Sequence, residues 1–206
     1  MDTDTDTAAC AWLTEPLRSF DGALRAASRP LRRPRGSTIF LAGQRPSQLF
    51  YVAAGSAVTS RQDRDGRVLV LRRASGGFLA EASLRSSRHH CDATAETDVQ
   101  LIALPIGALR HAIDHHGETR WAWIAMLAAE IRRQRSCAER LALKTVRERL
   151  MHWMVTQAED GSVRLTGTRK ALACELGVSH EALYRTLAQL KRECVLVDEG
   201  PRLRLL

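Results

Sequence analysis

Two side chains of opposite charge stand one helical turn apart near the carboxyl end of this 206-residue chain. Glu181 and Arg185 belong to a run that also holds His180 and Tyr184, with Leu183 at the apolar position between them. A carboxylate accepts a hydrogen bond from cytosine N4, and an arginine fork pairs with guanine O6 and N7. The alternative is that Glu181 and Arg185 form a plain i, i+4 surface ion pair, which contributes about 0.3 to 0.5 kcal/mol. We predict that His180, Glu181, Tyr184 and Arg185 read base edges.

Two short helical patterns position this face. Apolar residues recur at three- and four-residue steps before and after Gly177, at Leu172, Ala173 and Leu176 and then at Leu183, Leu187 and Leu190. Gly177 adopts the left-handed conformation at no Cβ cost and ends the first helix, and Ser179 is placed to cap the second. An ordinary helix pair with a glycine turn is the alternative. The spacing predicts a helix-turn-helix.

Short strand patterns flank the two helices. One covers residues 163–166, and two more, at 195–197 and 202–205, enclose the turn residues 198–201. The sequence Asp-Glu-Gly-Pro is typical of a hairpin turn. A strand, two helices and a hairpin predict a winged helix.

Composition limits the classes of protein that the chain can belong to. It holds 31 basic and 23 acidic side chains, a formal charge of +8, which favours a polyanionic partner. From Lys144 onward the basic excess is only three, eleven against eight, so this charge is supporting evidence alone. No run of eighteen apolar residues occurs and the amino terminus is acidic, so we expect a cytoplasmic protein with no membrane partner.

Cysteine usage points away from a disulfide framework. The five cysteines are odd in number and far apart, without a Cys-x-x-Cys pair. We expect most of them to be buried reduced thiols, with Cys174 and Cys194 packed as small hydrophobes in the helix-turn-helix region.

The first half of the chain has a different pattern. We expect residues 1–11 to be a disordered tail and residues 12–28 to form an amphipathic helix that Pro30 and Pro34 end. Short β-type runs separated by turn residues then follow, at 38–41, 49–52, 57–59, 68–71, 93–95 and 99–104. The Asp65-Gly66 pair is the clearest hairpin signal. This spacing predicts a β-sandwich or barrel of the jelly-roll type, within a sensor domain at 12–117.

Helical patterns return after Pro105. One runs through Leu109, and a longer one, at 118–143, carries an apolar stripe at alternating steps, namely Trp121, Ile124, Ala128, Ile131, Ala138 and Leu141. The stripe either packs on its own β-domain or pairs with a second copy of the chain. Two-fold symmetry gives a DNA reader a second half-site, so we predict a dimerisation helix, followed by a DNA-binding domain at 144–206.

Order and motifs together resemble the CRP/FNR family of bacterial transcription regulators over nearly the whole chain. The stretches 35–43, 49–55 and 65–67 look like the family's cyclic-nucleotide-binding-type β-roll, and 176–185 is similar to its recognition-helix signature. The resemblance implies an α+β fold, with a β-roll (jelly roll), a long dimerisation helix and a winged helix-turn-helix. It implies a homodimer on a palindromic operator in double-stranded DNA, and RNA polymerase as a partner if the protein activates. We expect Thr168, Arg169 and Ser179 to hold phosphates.

The effector region departs from the family pattern. Members that bind cyclic nucleotides hold the phosphate with a short helix that begins Gly-Glu and with an Arg-Ser or Arg-Thr pair further along. Here Ala80 precedes Glu81, which keeps the capacity to bond a ribose hydroxyl, and His89 and His90 replace the pair. Imidazole is mostly uncharged at neutral pH and does not replace a guanidinium fork. Cyclic AMP is therefore not the expected effector, although Arg88 would compensate in a register shifted by one.

The same residues bear on other effectors and activities. Members with an iron-sulfur cluster need several amino-terminal cysteines, and only Cys10 lies there. His89 and Cys91 would share a strand face and suit zinc, copper, haem iron or thiol-redox sensing, whereas the plainer alternative is an exposed histidine and a buried cysteine. A cupin-like enzyme would need more ligands than Glu81, His89 and His90, so we predict no enzyme activity. The effector itself is not identified by the sequence.

Overall fold

In a computed structural model of the chain, residues 17–158, 160–165 and 168–206 are described. The chain divides into two compact units, Met1–Leu127 and Ala128–Leu206. The predicted tail, Cys10 and the start of the predicted helix at 12–28 lie outside the described residues, as does residue 166 of the predicted strand.

The first unit contains two four-stranded antiparallel sheets. One has the strand order β1-β8-β3-β6 and the other β2-β7-β4-β5. The strands are β1 Arg29–Arg33, β2 Thr38–Phe40, β3 Gln48–Ala54, β4 Ala57–Gln62, β5 Val68–Ala74, β6 Gly77–Leu79, β7 Asp92–Ala95 and β8 Val99–Pro105. Both sheets contribute buried side chains to one core, among them Phe40, Ala57, Leu49, Val52 and Leu104. The predicted jelly-roll architecture is confirmed.

Two strands of this unit were missed in the sequence. β1 contains Pro30, which predicted a break, yet β1 is an edge strand whose one neighbour in the sheet is β8, where a missing N–H is tolerated. β6 is three residues long and directly follows a Gly-Gly turn, so it carries no periodic signal. The hairpin at Asp65 and Gly66 is present between β4 and β5, with Gly66 at φ +80°.

The helix predicted at 12–28 is divided where the structure describes it. Leu17–Ser19 form a short 3-10 turn, and α1 covers Gly22–Ala27. The Asp21 carboxylate accepts hydrogen bonds from the amides of Ala23 and Leu24, so Asp21 starts a new helix where the apolar periodicity alone predicted a continuous one.

Two helices follow β8. α2 covers Ile106–His115 and so extends beyond the predicted Leu109, and α3 covers Gly117–Ala142, close to the predicted 118–143. Trp123 of α3 packs into the core of the first unit, with its ring edge-on to Phe78. The stripe residues Trp121, Ile124 and Ile131 are instead exposed. For Trp121 and Ile124, which belong to the first unit, the predicted alternative that the stripe packs on its own β-domain is wrong.

The second unit contains the predicted winged helix. Its elements are α4 Val146–Gln157, β9 Ser162–Arg164, α5 Arg169–Leu176, α6 His180–Arg192, β10 Leu196–Asp198 and β11 Arg202–Leu205. Thr145 begins α4 with a reciprocal capping box to Glu148. The strands form a three-stranded antiparallel sheet in the order β10-β11-β9. The predicted leucines of α5 and α6 pack with Leu150, Trp153 and Met154 of α4 in one core.

Two cysteine predictions are wrong. Cys174 on α5 and Cys194 after α6 are exposed, whereas Cys91 is buried as expected and Cys137 is half-buried. Cys174 follows the buried Ala173 and so lies on the solvent side of a helix with a single apolar face. Cys194 takes a positive φ of 54° where the chain turns from α6 towards β10.

Candidate nucleic-acid interface and effector region

One face of α6 is buried and the opposite face is polar and exposed. Leu183, Leu187 and Leu190 fill the core, and the four residues predicted to read bases, His180, Glu181, Tyr184 and Arg185, are exposed at the start of the helix. The Ser179 hydroxyl accepts a hydrogen bond from the Ala182 amide and fixes the first turn, as predicted. The predicted reading residues therefore share one accessible surface.

The turn before α6 has the predicted left-handed glycine. Gly177 lies at φ +65°, its amide donates to the Cys174 carbonyl and the Val178 amide donates to the Ala173 carbonyl. These two bonds form a Schellman motif that closes α5. A Cβ at Gly177 would lie 2.9 Å from Leu141 Cδ2, so the turn also needs glycine for close packing against the end of α3.

The exposed side chains of α6 interact locally. Hydrogen bonds from the Glu181 backbone amide and from Ser179 lower the pKa of the Glu181 carboxyl, and His180 and Arg185 lower it further by charge. Glu181 is therefore ionised at neutral pH and accepts hydrogen bonds. The rings of His180 and Tyr184 meet edge to face with centroids 4.5 Å apart, which orders the Tyr184 side chain although half of it is exposed.

After the exposed face of α6, the second candidate DNA-contacting region is the amino-terminal end of α5. Thr168 caps α5 by accepting from the Ala171 amide, and Thr168 and Lys170 are exposed. A phosphate contact, as predicted for Arg169, would require its guanidinium to face solvent, and it does not. Its side chain is 14% exposed, and its guanidinium pairs with the Asp198 carboxylate and donates to the Gly200 carbonyl at 2.8 Å. In this structure Arg169 holds the turn of the hairpin instead of facing solvent.

Sequence reasoning missed Arg149 of α4. Its Nε donates to the Leu143 carbonyl at 2.9 Å and its Nη2 to the Leu141 carbonyl at 3.2 Å, at the end of α3. Its Nη1 donates to the carbonyls of Leu176 and Gly177, at 3.2 and 3.1 Å. One guanidinium thus joins the end of α3 to the helix-turn-helix turn. The partners are six to 28 residues away in sequence, so no local motif could have revealed it.

A second contact joins the same helices. The Glu175 carboxylate on α5 accepts from Trp153 Nε1 on α4 at 3.0 Å and from the buried Arg140 guanidinium on α3 at 3.5 Å. Together with Arg149, this fixes α5 against two neighbouring helices within the second unit.

In the first unit, the effector residues engage the protein itself. Glu81 accepts from Arg72 of β5 at 3.0 Å, and the same Arg72 nitrogen donates to the Phe78 carbonyl at 2.9 Å. The two side chains are only 15% and 18% exposed. Ala80, which replaces the family glycine, still adopts the left-handed conformation at φ +69°. Ala80 therefore has a backbone conformation that glycine adopts readily and that alanine disfavours.

The histidines do not form a common site. His89 is 5% exposed, with its ring stacked on Phe40 at 4.1 Å and its Nδ1 3.0 Å from the Ser83 hydroxyl, so the expectation of an exposed histidine is wrong. Burial, and then the nearby His90, lower the pKa of His89. His90 and Arg88 are exposed, and Arg88 donates to the Gly43 carbonyl. Of the four predicted effector residues, Glu81 and His89 therefore lie largely in the interior, and Arg88 and His90 lie at the surface.

The predicted pair of metal ligands is likewise internal. Cys91 is buried, and burial raises the pKa of its thiol, which disfavours the thiolate that metals bind. Within residues 17–158, 160–165 and 168–206, no three His, Cys, Asp or Glu side chains are grouped as metal ligands. His89 and Cys91 are thus not accompanied by a third ligand from the described chain.

Known proteins share both halves of this architecture. Residues 30–116 match the family described as the cyclic nucleotide-binding domain. The chain is 26% identical to the CRP-like cAMP-activated global transcriptional regulator of Mycobacterium tuberculosis, in a match that covers 88% of this chain and 89% of that protein. These matches support the resemblance to the CRP/FNR family of transcriptional regulators. The resemblance expected from the motifs is thereby confirmed.

Solved structures agree with this family fold. FixK2 from Bradyrhizobium japonicum superposes with a TM-score of 0.68 at 21% identity, over 86% of this chain and 92% of FixK2. A transcriptional regulator of the CRP/FNR family from Thermus thermophilus superposes with a TM-score of 0.58 at 23% identity, over 86% of this chain and 93% of that chain. The β-roll and the winged helix thus occur together in both relatives.

The matched domain is named for cyclic nucleotides, and the Mycobacterium tuberculosis relative is named as activated by cAMP, so the comparisons do not favour the expectation that cyclic AMP is not the effector. Among the described residues, none of the helices combines the length and the apolar character that a bilayer crossing needs.

Proposed function

We propose that this CRP/FNR-like protein is a homodimeric, sequence-specific DNA-binding transcription regulator. The observation that carries the proposal is the exposed face of α6, where His180, Glu181, Tyr184 and Arg185 stand on a helix fixed by a serine cap and three buried leucines. An α-helix fits the major groove of B-DNA, in which each base pair presents a distinct pattern of donors and acceptors.

Each exposed residue has a role that its chemistry supports. Glu181, ionised at neutral pH, accepts from cytosine N4, and Arg185 one turn later pairs with guanine O6 and N7. Thr168 and Ser179, at the starts of α5 and α6, hold backbone phosphates and set the register, since helix amino termini attract anions. Arg169 stabilises the hairpin turn through Asp198, so we assign it no phosphate.

The apolar stripe of α3 supports self-association. Trp121, Ile124 and Ile131 are between 44% and 70% exposed in the single chain, at steps of three and seven residues that follow the helix period, and Leu141 further along α3 is 48% exposed. Large apolar side chains in this pattern are typical of a helix that pairs with a second copy. A two-fold dimer presents two α6 helices to a palindromic operator, and an activating dimer would contact RNA polymerase there.

We further propose that the effector is not cyclic AMP, or that no small molecule is required. The acidic group that would bond a ribose, Glu81, is paired with Arg72, and His89 is stacked in the core where the family has a phosphate-binding arginine. A neutral, internal imidazole offers no charged fork to a phosphate. The names of the matched domain and of the Mycobacterium tuberculosis relative favour cyclic AMP instead. The calorimetric titration described below decides between cyclic AMP and a different effector or none.

Operator selection tests the DNA-binding proposal. Fragments from the protein's own promoter region are compared with scrambled fragments at moderate salt, and preference for a palindromic site is expected. Replacing Arg185 with alanine should relax discrimination at one base-pair position in each half-site by about 1 to 3 kcal/mol. Equal affinity for scrambled DNA, or an unchanged base preference in the variant, would contradict the reading assigned to α6.

Calorimetric titration tests the effector proposal. Cyclic AMP added to the purified full-length protein is expected to give no saturable heat and no change in operator affinity. Glu81→Gln serves as a matched comparison because it neutralises the side chain that holds Arg72. Saturable binding of cyclic AMP by the unmodified protein, with tighter operator binding, would show that the effector proposal is wrong and leave the DNA-binding proposal intact.

A further inference from the structure

The guanidinium of Arg72 joins the two sheets of the β-roll. Arg72 lies on β5, at the edge of the sheet β2-β7-β4-β5, and its Nη1 donates at 2.9 Å to the Phe78 carbonyl of β6, an edge strand of the other sheet. The same nitrogen donates to the Glu81 carboxylate, in the short turn Glu81–Ser83, at 3.0 Å. We call Arg72, Glu81 and the Phe78 carbonyl the guanidinium clamp.

The guanidinium clamp is largely removed from solvent. The Arg72 and Glu81 side chains are 15% and 18% exposed, so salt screens their attraction less than that of a surface pair. A carboxylate and a carbonyl that converge on one nitrogen form an acceptor site for a charged donor, and such hydrogen bonds are stronger than neutral ones. The region that matches the cyclic nucleotide-binding domain therefore contains an acceptor site that the chain itself fills.

The clamped carbonyl belongs to a residue that contacts α3. The rings of Phe78 and Trp123 meet edge to face with centroids 5.3 Å apart, and the two residues are 1% and 4% exposed. Trp121 and Ile124 stand exposed nearby on α3, in the stripe proposed to meet a second copy of the chain. Because closely packed side chains do not shift independently, the position of β6 influences how this part of α3 is held.

A second arginine holds the other end of the same turn. Arg110 of α2 donates from its Nε to the Leu84 carbonyl at 2.9 Å. The turn is thus held at Glu81 by β5 and at Leu84 by the helix that immediately precedes α3. Loss of the Arg72 contact would free one end of a segment that packs and bonds against both helices.

We propose that the guanidinium clamp takes the place of a small-molecule effector and keeps the first unit in the arrangement that permits operator binding. This inference rests on the proposed DNA-binding function, and of the effector proposals it selects the one in which no small molecule is required. A donor on the same chain has a constant effective concentration, so the acceptor site stays filled whatever the cell contains. Operator occupancy then follows the amount of protein that is made.

The test uses variants of the full-length protein. Arg72→Ala removes the donor, Glu81→Ala removes the acceptor, and Arg73→Ala is the matched control. Arg73 is the next residue on β5 and forms a partly exposed ion pair of 2.8 Å with Glu96, in the loop between β7 and β8. Circular dichroism and thermal unfolding establish that each variant folds, and Arg72→Gln replaces Arg72→Ala if the alanine variant does not.

Affinities for operator and scrambled fragments are measured first without any added ligand. The measurements are repeated with guanidinium chloride at millimolar concentrations, far below those that unfold proteins. Equal concentrations of sodium chloride control for the effect of salt on DNA binding, and urea controls for a neutral molecule of similar shape.

Without added ligand, the unmodified protein and Arg73→Ala should bind operator equally well. Arg72→Ala should bind operator about 5- to 150-fold more weakly, the ordinary range of coupling between two sites, with little change for scrambled DNA. Guanidinium should restore the operator affinity of Arg72→Ala because it refills the acceptor site, whereas sodium chloride and urea should not. Glu81→Ala should be weakened similarly and should not be restored, since its acceptor is gone.

Several outcomes would overturn the proposal. They are undiminished operator binding by Arg72→Ala, equal losses in Arg72→Ala and Arg73→Ala, and equal restoration by guanidinium and sodium chloride. An unmodified protein that binds its operator only after a small molecule is added would overturn it as well.

Failure of this inference is distinguishable from failure of the proposed function. If the unmodified protein prefers its operator, loses discrimination in Arg185→Ala and keeps it in Arg72→Ala, α6 reads DNA and only the role of the clamp is wrong. If the unmodified protein shows no operator preference under any condition, the DNA-binding proposal itself is wrong. Hydrogen exchange checks the clamp without DNA, because amides of residues 78–84 and of the first turns of α3 should exchange faster in Arg72→Ala and recover with guanidinium.

Discussion

The two units place their functional side chains in opposite ways. In the second unit His180, Glu181, Tyr184 and Arg185 project outward from a helix whose turn, caps and buried leucines hold it in place. In the first unit Glu81 and His89 are bonded to Arg72 and Ser83 of the same chain. Exposed, fixed groups suit recognition of a large external surface such as DNA. Internally paired groups must first release their partners before they can bind a ligand, so the two units differ in how directly their polar groups are available.

The largest expected effect concerns Arg149, which joins α3, α4 and the turn before α6 within the second unit. Arg149→Met keeps the aliphatic stem and removes four hydrogen bonds to the carbonyls of Leu141, Leu143, Leu176 and Gly177. We expect the free energy of unfolding of the second unit to fall by about 2 to 3 kcal/mol, since bonds to a charged donor are lost. Chemical denaturation followed by tryptophan fluorescence measures it, because Trp153 lies in that core.

Arg147→Met is the matched control for this change. Arg147 lies two residues earlier on α4, is 44% exposed and pairs with Glu193 at the surface. Exposed ion pairs contribute about 0 to 1 kcal/mol. If both variants lose the same stability, Arg149 is an ordinary surface arginine and the claim that it fixes the turn is wrong.

The second largest effect is expected at Gly177, the left-handed glycine of the turn before α6. Gly177→Ala places a Cβ in the left-handed region and within 2.9 Å of Leu141. A destabilisation of about 1 to 2 kcal/mol is expected, together with weaker operator binding, because the turn orients α6. Thermal unfolding and gel shift report the two changes. Stability equal to that of the unmodified protein would show that the turn tolerates other conformations.

In the first unit, the opposite change, from alanine to glycine, is made at a residue with left-handed backbone. Ala80 holds φ +69° at the start of the short turn Glu81–Ser83, so Ala80→Gly relieves a strained residue. Part of this gain is offset by the greater freedom of glycine in the unfolded chain, and we expect a net stabilisation of up to about 1 kcal/mol. Thermal unfolding of the first unit checks the sign. A loss of stability would mean that the Ala80 methyl group, which is buried, contributes more by packing than the strain costs.

The smallest effect is the dependence of stability on pH that His89 gives to the first unit. The pKa of His89 is lowered in the folded state by burial, so as pH falls below the ordinary histidine value the unfolded state takes up the proton first. Stability is therefore complete above about pH 6.5 and is lost as pH falls towards the folded pKa. His89→Asn should remove this part of the dependence, whereas exposed His90→Gln should largely keep it. Identical pH profiles for His89→Asn and the unmodified protein would contradict the buried neutral imidazole.

Local signals account for what the sequence predicted well. Gly177, Ser179 and the leucine spacing determine α5, the turn and α6 within one short continuous segment, so motif and geometry coincide. The strands of the β-roll were also predicted from short-range patterns, except β1 and β6, where proline and brevity remove the signal. What could not be predicted depends on tertiary contacts: Arg72 reaches Glu81 across a turn, Arg169 reaches Asp198, Arg149 joins helices, and His89 turns inward onto Phe40.

The surface positions of Cys174 and Cys194 have a practical consequence. Both thiols are accessible to a maleimide dye or a nitroxide, and they lie on α5 and just after α6. With Cys10 and Cys137 changed to serine and Cys91 protected by burial, the two native sulphurs provide attachment points for a donor and an acceptor without an introduced cysteine. Energy transfer between them would then follow the spacing of the two helices in solution, before and after a duplex is added.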